Sequence, residues 1–394
     1  MEILQPKLRF PEFEGDWGKD KLSDINIFVI DGDRGVNYPN GDDFSNDGFC
    51  VFLNAKNVTK NGFSFADKMF ISAEKDEKLR KGKLVRNDIV LTTRGSVGHI
   101  SYFDYSVLYE NIRINSGMVI IRTDQSKINS DYLYKYFNSN QIQNEIDKIS
   151  FGSAQPQLTV KEILKFRISY PSLEEQTKIA NFLSSIDEKI NLLKEKKALL
   201  EEYKKGMMQK IFNQEIRFAA DNGNDFEDWE EKTLGEVSSK ESSNISANKI
   251  EDNFGEFIIY GASGVLKKVN FYLQENDYIS IVKDGAGVGR IFYCEGKSSV
   301  LGTMEMIKPI KGINTYFLYC LLNNIDFTKF ITGSTIPHIY FKDYSKVICG
   351  IPSLKEQTKI ANFLSTIDEK ISLVATQIED TQEYKKGLLQ QMFV

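Results

Sequence analysis

Histidine and cysteine are scarce in this 394-residue chain, and their scarcity removes whole classes of chemistry. The two histidines, His99 and His338, are too far apart in sequence for an H-E-x-x-H zinc motif or a histidine-rich metal cluster. The four cysteines (Cys50, Cys294, Cys320 and Cys349) form no C-x-x-C, so neither a zinc site nor a disulfide framework is indicated. None of the eight prolines adjoins another, which excludes the [ND]-P-P-[YF] motif of adenine methyltransferases. There is no G-x-x-x-x-G-K-[ST] loop for a nucleotide triphosphate. "DGAGVGR" (Asp284–Arg290) is glycine-rich, but strand-like "IFYC" follows it instead of a helix, so a tight turn explains it better than a dinucleotide site. Nuclease-like E-x-K triplets at Glu202–Lys204 and Glu383–Lys385 read as solvated helical faces. These absences leave no constellation for catalysis, and the chain is expected to be no enzyme.

No stretch approaches eighteen consecutive apolar residues, so no membrane span is expected. The opening "MEILQPKLRF" lacks the apolar core of a secretion signal, which points to the cytoplasm. A hydrophobic content of 41% and charged content of 27% are those of a globular protein with two or three domains. The net charge of −5 argues against a stand-alone nucleic-acid binder. Any phosphate-facing surface must be a local patch, or be shared with a basic partner.

What the sequence does have is a duplication. "PSLEEQTKIANFLSSIDEKI" begins at Pro171 and "PSLKEQTKIANFLSTIDEKI" at Pro352. The offset is 352 − 171 = 181, and 26 of 43 positions from Tyr170 and Ile351 onward are identical. At the same offset "GSAQPQLTVKEI" (Gly152–Ile163) matches "GSTIPHIYFKDY" (Gly333–Tyr344) in Gly, Ser, Pro and Lys. "RFPEFEGDW" (Arg9–Trp17) echoes "RFAADNGNDFEDW" (Arg217–Trp229), and "SVGHI" (Ser96–Ile100) resembles "GVGRI" (Gly287–Ile291). Each half therefore reads as an opening motif, a divergent domain and a nearly invariant segment, a common frame carrying two different readers.

The invariant segment predicts a helix. Ile179, Phe182, Ile186, Ile190, Leu193, Leu200, Met207 and Ile211 form one stripe, interrupted by Lys197. The second copy gives Ile360, Phe363, Ile367, Ile371, Val374, Ile378, Leu388 and Met392. Each helix would be about 60 Å long, more than a domain of this size can cover. The two stripes are expected to pack on each other. Because the first helix delivers the chain to the second domain, the second helix must run back, antiparallel. The fold class is α+β: two mixed α/β domains (1–170 and 213–351) joined by two long antiparallel coiled-coil helices (171–212 and 352–394), with a pseudo-two-fold internal repeat. "FCVFLNAKNV", "DIVLTTRG", "GHISYF" and "SGMVIIR" predict strands, and Asp131–Ile149 a helix.

This combination resembles the DNA specificity subunit of type I restriction–modification systems, whose helices carry Pro–x–Leu–x–Glu–Gln followed by a run like Ile–Ala–x–Phe–Leu. "YGASG" (Tyr260–Gly264) and "RGSVG" (Arg94–Gly98) also look like pieces of that family's target recognition domains. The resemblance implies a non-catalytic adaptor on double-stranded DNA. Each divergent domain would read half of a split, asymmetric target, and the helices would set the unread spacer. Two modification (adenine methyltransferase) subunits would dock on the helices, and restriction subunits would join through them. S-adenosylmethionine, ATP and magnesium would serve those partners and not this chain.

Loops that combine polar or cationic side chains with glycine can reach base edges and phosphates. On that chemistry the candidate DNA contacts are Asn54, Lys56, Asn57, Thr93, Arg94, Ser96, Arg113 and Gln155 in the first domain. In the second they are Tyr260, Ser263, Lys283, Arg290, Thr335 and His338. Gln176, Asn181, Gln357 and Asn362, identical in both copies and off the apolar stripe, are candidate partner contacts. The competing reading is a scaffold or anti-restriction decoy of the same architecture without DNA specificity.

Overall fold

The computed structural model describes residues 5–124, 127–150 and 157–394. The chain folds as two units, Met1–Leu192 with Gln377–Val394, and Leu193–Thr376. Both are built to one plan.

In the first unit a four-stranded antiparallel sheet runs in the order Ile27–Asp31, Met118–Thr123, Asp88–Thr92, Ile100–Phe103. Strand Asp88–Thr92 is buried along its whole length because both faces of the sheet are covered. Ile89 and Leu91 enter a core of helices, while Val90 enters a smaller core on the opposite face. The neighbouring strand divides in the same way, with Val119 and Ile121 on one side and Met118 and Ile120 on the other. That is the two-residue period of a strand. The smaller core is roofed by a short sheet in which Cys50–Phe52 pairs antiparallel with Phe70–Ile71 and parallel with Ile112–Arg113.

The second unit repeats this plan with different residues. Its four-stranded sheet runs Ser238–Ser242, Met304–Pro309, Tyr278–Val282, Ile291–Cys294. Ile279 and Ile281 face the helices, and Tyr278 and Val282 face the small core. Phe257–Gly261 takes the roof position, antiparallel to Gly264–Val269 and parallel to Ser299–Val300. In each unit a two-stranded ribbon leads into the long helix, Gly18–Lys21 with Arg167–Tyr170 and Glu230–Thr233 with Ile348–Ile351.

The helix expected over 131–149 is two helices, Ser130–Phe137 and Asn140–Ser150. The break falls at Asn138, whose side-chain amide donates to the Tyr134 carbonyl at 2.8 Å and competes with helix propagation. In the second unit one helix, Thr315–Asn323, stands in the place of the first of these, and a 3₁₀ turn at Phe327–Phe330 follows.

The long helices are Leu173–Phe212 and Leu354–Met392. Each begins in one unit and ends in the other, so each unit holds part of both. Within the first unit Asp187 pairs with Lys385 at 2.5 Å, and Leu8, beside the Arg9 that binds Glu175, donates to the Gln391 carbonyl. Numbers rise along one helix as they fall along the other, so the segments are antiparallel. The second unit repeats the pair as Lys204–Asp368 at 2.6 Å, each residue displaced by 181 from its counterpart.

The heptad seam differs from the expected stripe at one position per copy. Leu183 and Leu364 are fully buried in it, whereas Phe182 and Phe363 sit beside it. Those rings pack edge-on against Phe10 at 5.7 Å and Phe218 at 5.5 Å, residues of the two opening motifs. The opening motifs also explain their own retention. Arg9 grips Glu175 with two bonds of 2.8 Å, and Arg217 grips Glu356 at 3.2 and 2.9 Å. Both carboxylates are buried in the first turn of a long helix, where the helix dipole favours negative charge.

Candidate nucleic-acid interface and partner face

The turn after the third strand of each four-stranded sheet is held the same way in both units. Gly98 (φ +89°) donates to the Thr92 carbonyl at 3.0 Å, and Gly289 (φ +85°) donates to Val282 at 2.8 Å. A side chain is strained at such φ values, which accounts for the glycine shared by "SVGHI" and "GVGRI". Thr92 adds a clasp, since its hydroxyl donates to the Ser96 carbonyl and accepts from His99 N–H at 3.0 Å. A later segment is stitched on alongside. Leu158 donates to Thr93 at 3.0 Å, and Ile339 to Lys283 at 3.0 Å.

Arg94 and Ser96 are exposed on this turn, and Arg94 is bridged to Gln157. Gln155 lies outside the described residues. Asn54 accepts from Lys56 N–H at 2.8 Å in an Asx turn, and Lys56 projects into solvent beside Asp67 at 2.7 Å. His99 joins that turn to the glycine loop through Val58 O at 3.2 Å.

In the second unit the segments carrying Lys283 and His338 come together, with Thr335 exposed on the turn that precedes His338. Gly285 donates to Pro337 at 2.9 Å, and Asp284 is bridged to His338. Arg290 is exposed and reaches Ala262 O at 3.5 Å, which sets it beside the hairpin turn bearing Ser263.

Six of the candidates are buried in the structure. Asn57 is enclosed and spends its amide on the carbonyls of Ser64 (2.9 Å) and Asp67 (2.7 Å). Arg113 is enclosed with Asp76, at 2.5 Å, and with the Lys81 carbonyl at 2.8 Å. Burial alone would raise the Asp76 pKa, but Lys83 and Arg113 hold it below the usual carboxylate range. Thr93 is buried by the backbone stitching above, and Tyr260 is packed among Tyr278, Val282 and Met304. Gln176 and Gln357 are equally inaccessible. Gln176 accepts from Asn129 N–H at 2.9 Å and donates to Lys127 and Pro171 carbonyls. Gln357 does the same with Asn314, Gly312 and Pro352. Each glutamine ties its long helix to the cap of a domain helix, which explains its presence in both copies without a partner.

Asn181 and Asn362 are exposed, as a partner contact requires. Sequence reasoning missed larger side chains on the same helices. Leu192 is 58% exposed and Leu373 60%; Tyr203 is 51% exposed and Tyr384 57%. The members of each pair are 181 residues apart and identical. Taking Leu183, Ile190 and Lys204 as a positions, the leucines fall at c and the tyrosines at g, on one side of the seam. Leu192 and Tyr384 belong to the first unit, with Lys189 at g. Tyr203 and Leu373 belong to the second, with Lys370 at g. The opposite side, at e, is committed inward: burial would raise the Asp187 pKa, but Lys135 and Lys385 keep it low. The signal was present in the repeat, because an exposed apolar residue has no packing reason to stay identical.

The family described as type I restriction modification DNA specificity domain matches residues 14–202 and 226–382, most of the chain. The chain belongs to that family. Specificity subunits are the non-catalytic component of type I systems. This one is 24% identical over 336 residues to the type I restriction enzyme MjaIX specificity subunit of Methanocaldococcus jannaschii, covering 77% of this chain and 76% of that one. Its fold is that of the type I restriction–modification S subunit from M. genitalium, with a TM-score of 0.64 at 18% identity over 99% of both chains. A chain solved in work on assembly and conformational transition of the type I system gives a TM-score of 0.56 at 16% identity, covering 95% and 97%. No helix of the specificity subunit is long and apolar enough, among the described residues, to cross a membrane.

Proposed function

We propose that this specificity subunit reads a bipartite, asymmetric DNA target, one half with each unit, and that the shared long helices fix the unread spacer. Two modification subunits dock on it, one at Leu192–Tyr384 and one at Leu373–Tyr203, with Asn181 and Asn362 on the same helices. Restriction subunits join through them. S-adenosylmethionine, ATP and magnesium are bound by those partners.

The observation carrying this reading is the retention of the same exposed leucine and tyrosine in each unit, because two like patches suit two copies of one partner. Burying a leucine and a tyrosine contributes a few kcal/mol to association, enough for a central contact. Native mass spectrometry of the subunit co-expressed with its modification subunit tests it. The wild type should carry two partners, Leu192→Glu or Leu373→Glu one, and the double variant none. A double variant that still carries two would refute the dock. Methylation mapping of the assembled complex should return two half-sites with a constant gap, and the isolated chain should methylate nothing.

A further inference from the structure

We propose that Ile336 is a base-reading residue of the second unit and that it recognises the 5-methyl group of a thymine. This rests on the reading that the second unit contacts DNA, and it adds which residue reads and what it reads.

The observation starts in the repeat. Gly152-Ser153-x-x-Pro156 and Gly333-Ser334-x-x-Pro337 keep their frame, while the two enclosed residues change from Ala154-Gln155 to Thr335-Ile336. In the second unit this frame builds a tight hairpin. Thr332 and His338 exchange backbone bonds of 2.9 and 2.8 Å. Gly333 has φ +88°, and a Cβ there would lie 2.5 Å from the Ile336 carbonyl. That carbonyl also sits 3.1 Å from Nδ1 of His338. Pro337 restricts Ile336 to extended backbone, and β-branching stiffens its χ1.

The result is an apolar side chain 63% exposed at the tip of a rigid turn. Scattered exposed isoleucines are ordinary. This one differs because the frame around it is fixed while Ile336 itself packs into none of the second unit's hydrophobic clusters. It also stands among the unit's other candidate contacts. The hairpin is tied to the glycine loop by Gly285 N–H on the Pro337 carbonyl at 2.9 Å, and that loop carries Lys283 and Arg290. Isoleucine offers neither donor nor acceptor. The one apolar feature on a base edge in the major groove is the thymine methyl group.

Losing contact with one methyl group should weaken binding about three- to fivefold. The test uses the full chain assembled with its modification subunits, on its mapped target. Each thymine of the second half-site is replaced in turn by uracil, which lacks only the methyl group. One replacement should weaken wild-type binding three- to fivefold. Ile336→Ala should already be weaker on the thymine duplex by a similar factor and indifferent to that same replacement. Ile336→Val should fall between, and replacements in the first half-site should affect all three proteins alike. Unchanged fluorescence of the isolated chain carrying Trp17→Phe, where Trp229 alone reports, checks the fold of each variant. A second half-site without thymine on either strand overturns the proposal, as does a wild type insensitive to every replacement, or an Ile336→Ala protein that stays as sensitive as the wild type. A complex with no sequence preference at all would overturn the DNA-reading function itself, and the proposal with it.

Discussion

Replacing Arg9 by methionine should destabilise the first unit through a single, defined loss. Arg9 is 14% exposed and its partner Glu175 1%, so the substitution strands a carboxylate in a site without water. The guanidinium also donates to the carbonyls of Gly15 at 2.6 Å and Glu14 at 3.1 Å, and both lose that donor. Removing one member of a buried pair costs roughly 3–5 kcal/mol. The position of Glu175 in the first helical turn offsets part of that, so the lower end, about 3 kcal/mol, is expected. For a unit of this size, a urea m-value of roughly 2–3 kcal/mol/M converts that to a midpoint about 1–1.5 M lower. The protein provides its own reporters. Trp17 is buried in the first unit against Tyr132, and Trp229 lies in the second beside Phe212 and Phe317. With Trp229→Phe the fluorescence follows the first unit, and with Trp17→Phe the second. Arg9→Met should move the Trp17 transition by the amount above. A shift below about 0.3 M would refute the assignment of that energy to the pair. If the Trp229 transition moved equally, the shared helices would have made the two units one cooperative block.

Asp187 is held below the usual carboxylate range in the folded protein, so its stabilising effect is complete above the unfolded value of about 4 and lost as pH falls through the lower folded value. Urea midpoints of wild type and Asp187→Asn, read on Trp17, should therefore differ at pH 7 and converge as the pH drops below about 4; a gap independent of pH would contradict this. Four helical residues inserted within Lys194–Glu201, where the copies share no residue, add about 6 Å. Methylation mapping should then return the original half-sites with a spacer longer by about one or two base pairs at 3.4 Å each. New half-site bases with the old spacer would mean that the helices do not set the gap.

The sequence by itself determined the architecture. The 181-residue repeat and the three-four spacing of its apolar residues are local signals, readable because a helix maps sequence onto a face at a fixed period. The absence of catalytic motifs likewise needed no coordinates. What the tertiary structure decided was accessibility. Gln176 and Gln357 look like surface residues in a helical pattern, yet they are enclosed because a domain helix cap, remote in sequence, closes over them. Asn57 and Arg113 sit in polar, glycine-bearing stretches like those of real surface loops. Only the chain brought against them, at Ser64, Asp67 and Asp76, takes up their donors. The converse holds for Leu192 and Tyr384, which lie outside the predicted apolar stripe, are apolar or aromatic all the same, and stand in solvent. Periodicity tells which residues share a face; it takes the partners of that face, distant in sequence, to say whether the face is inside.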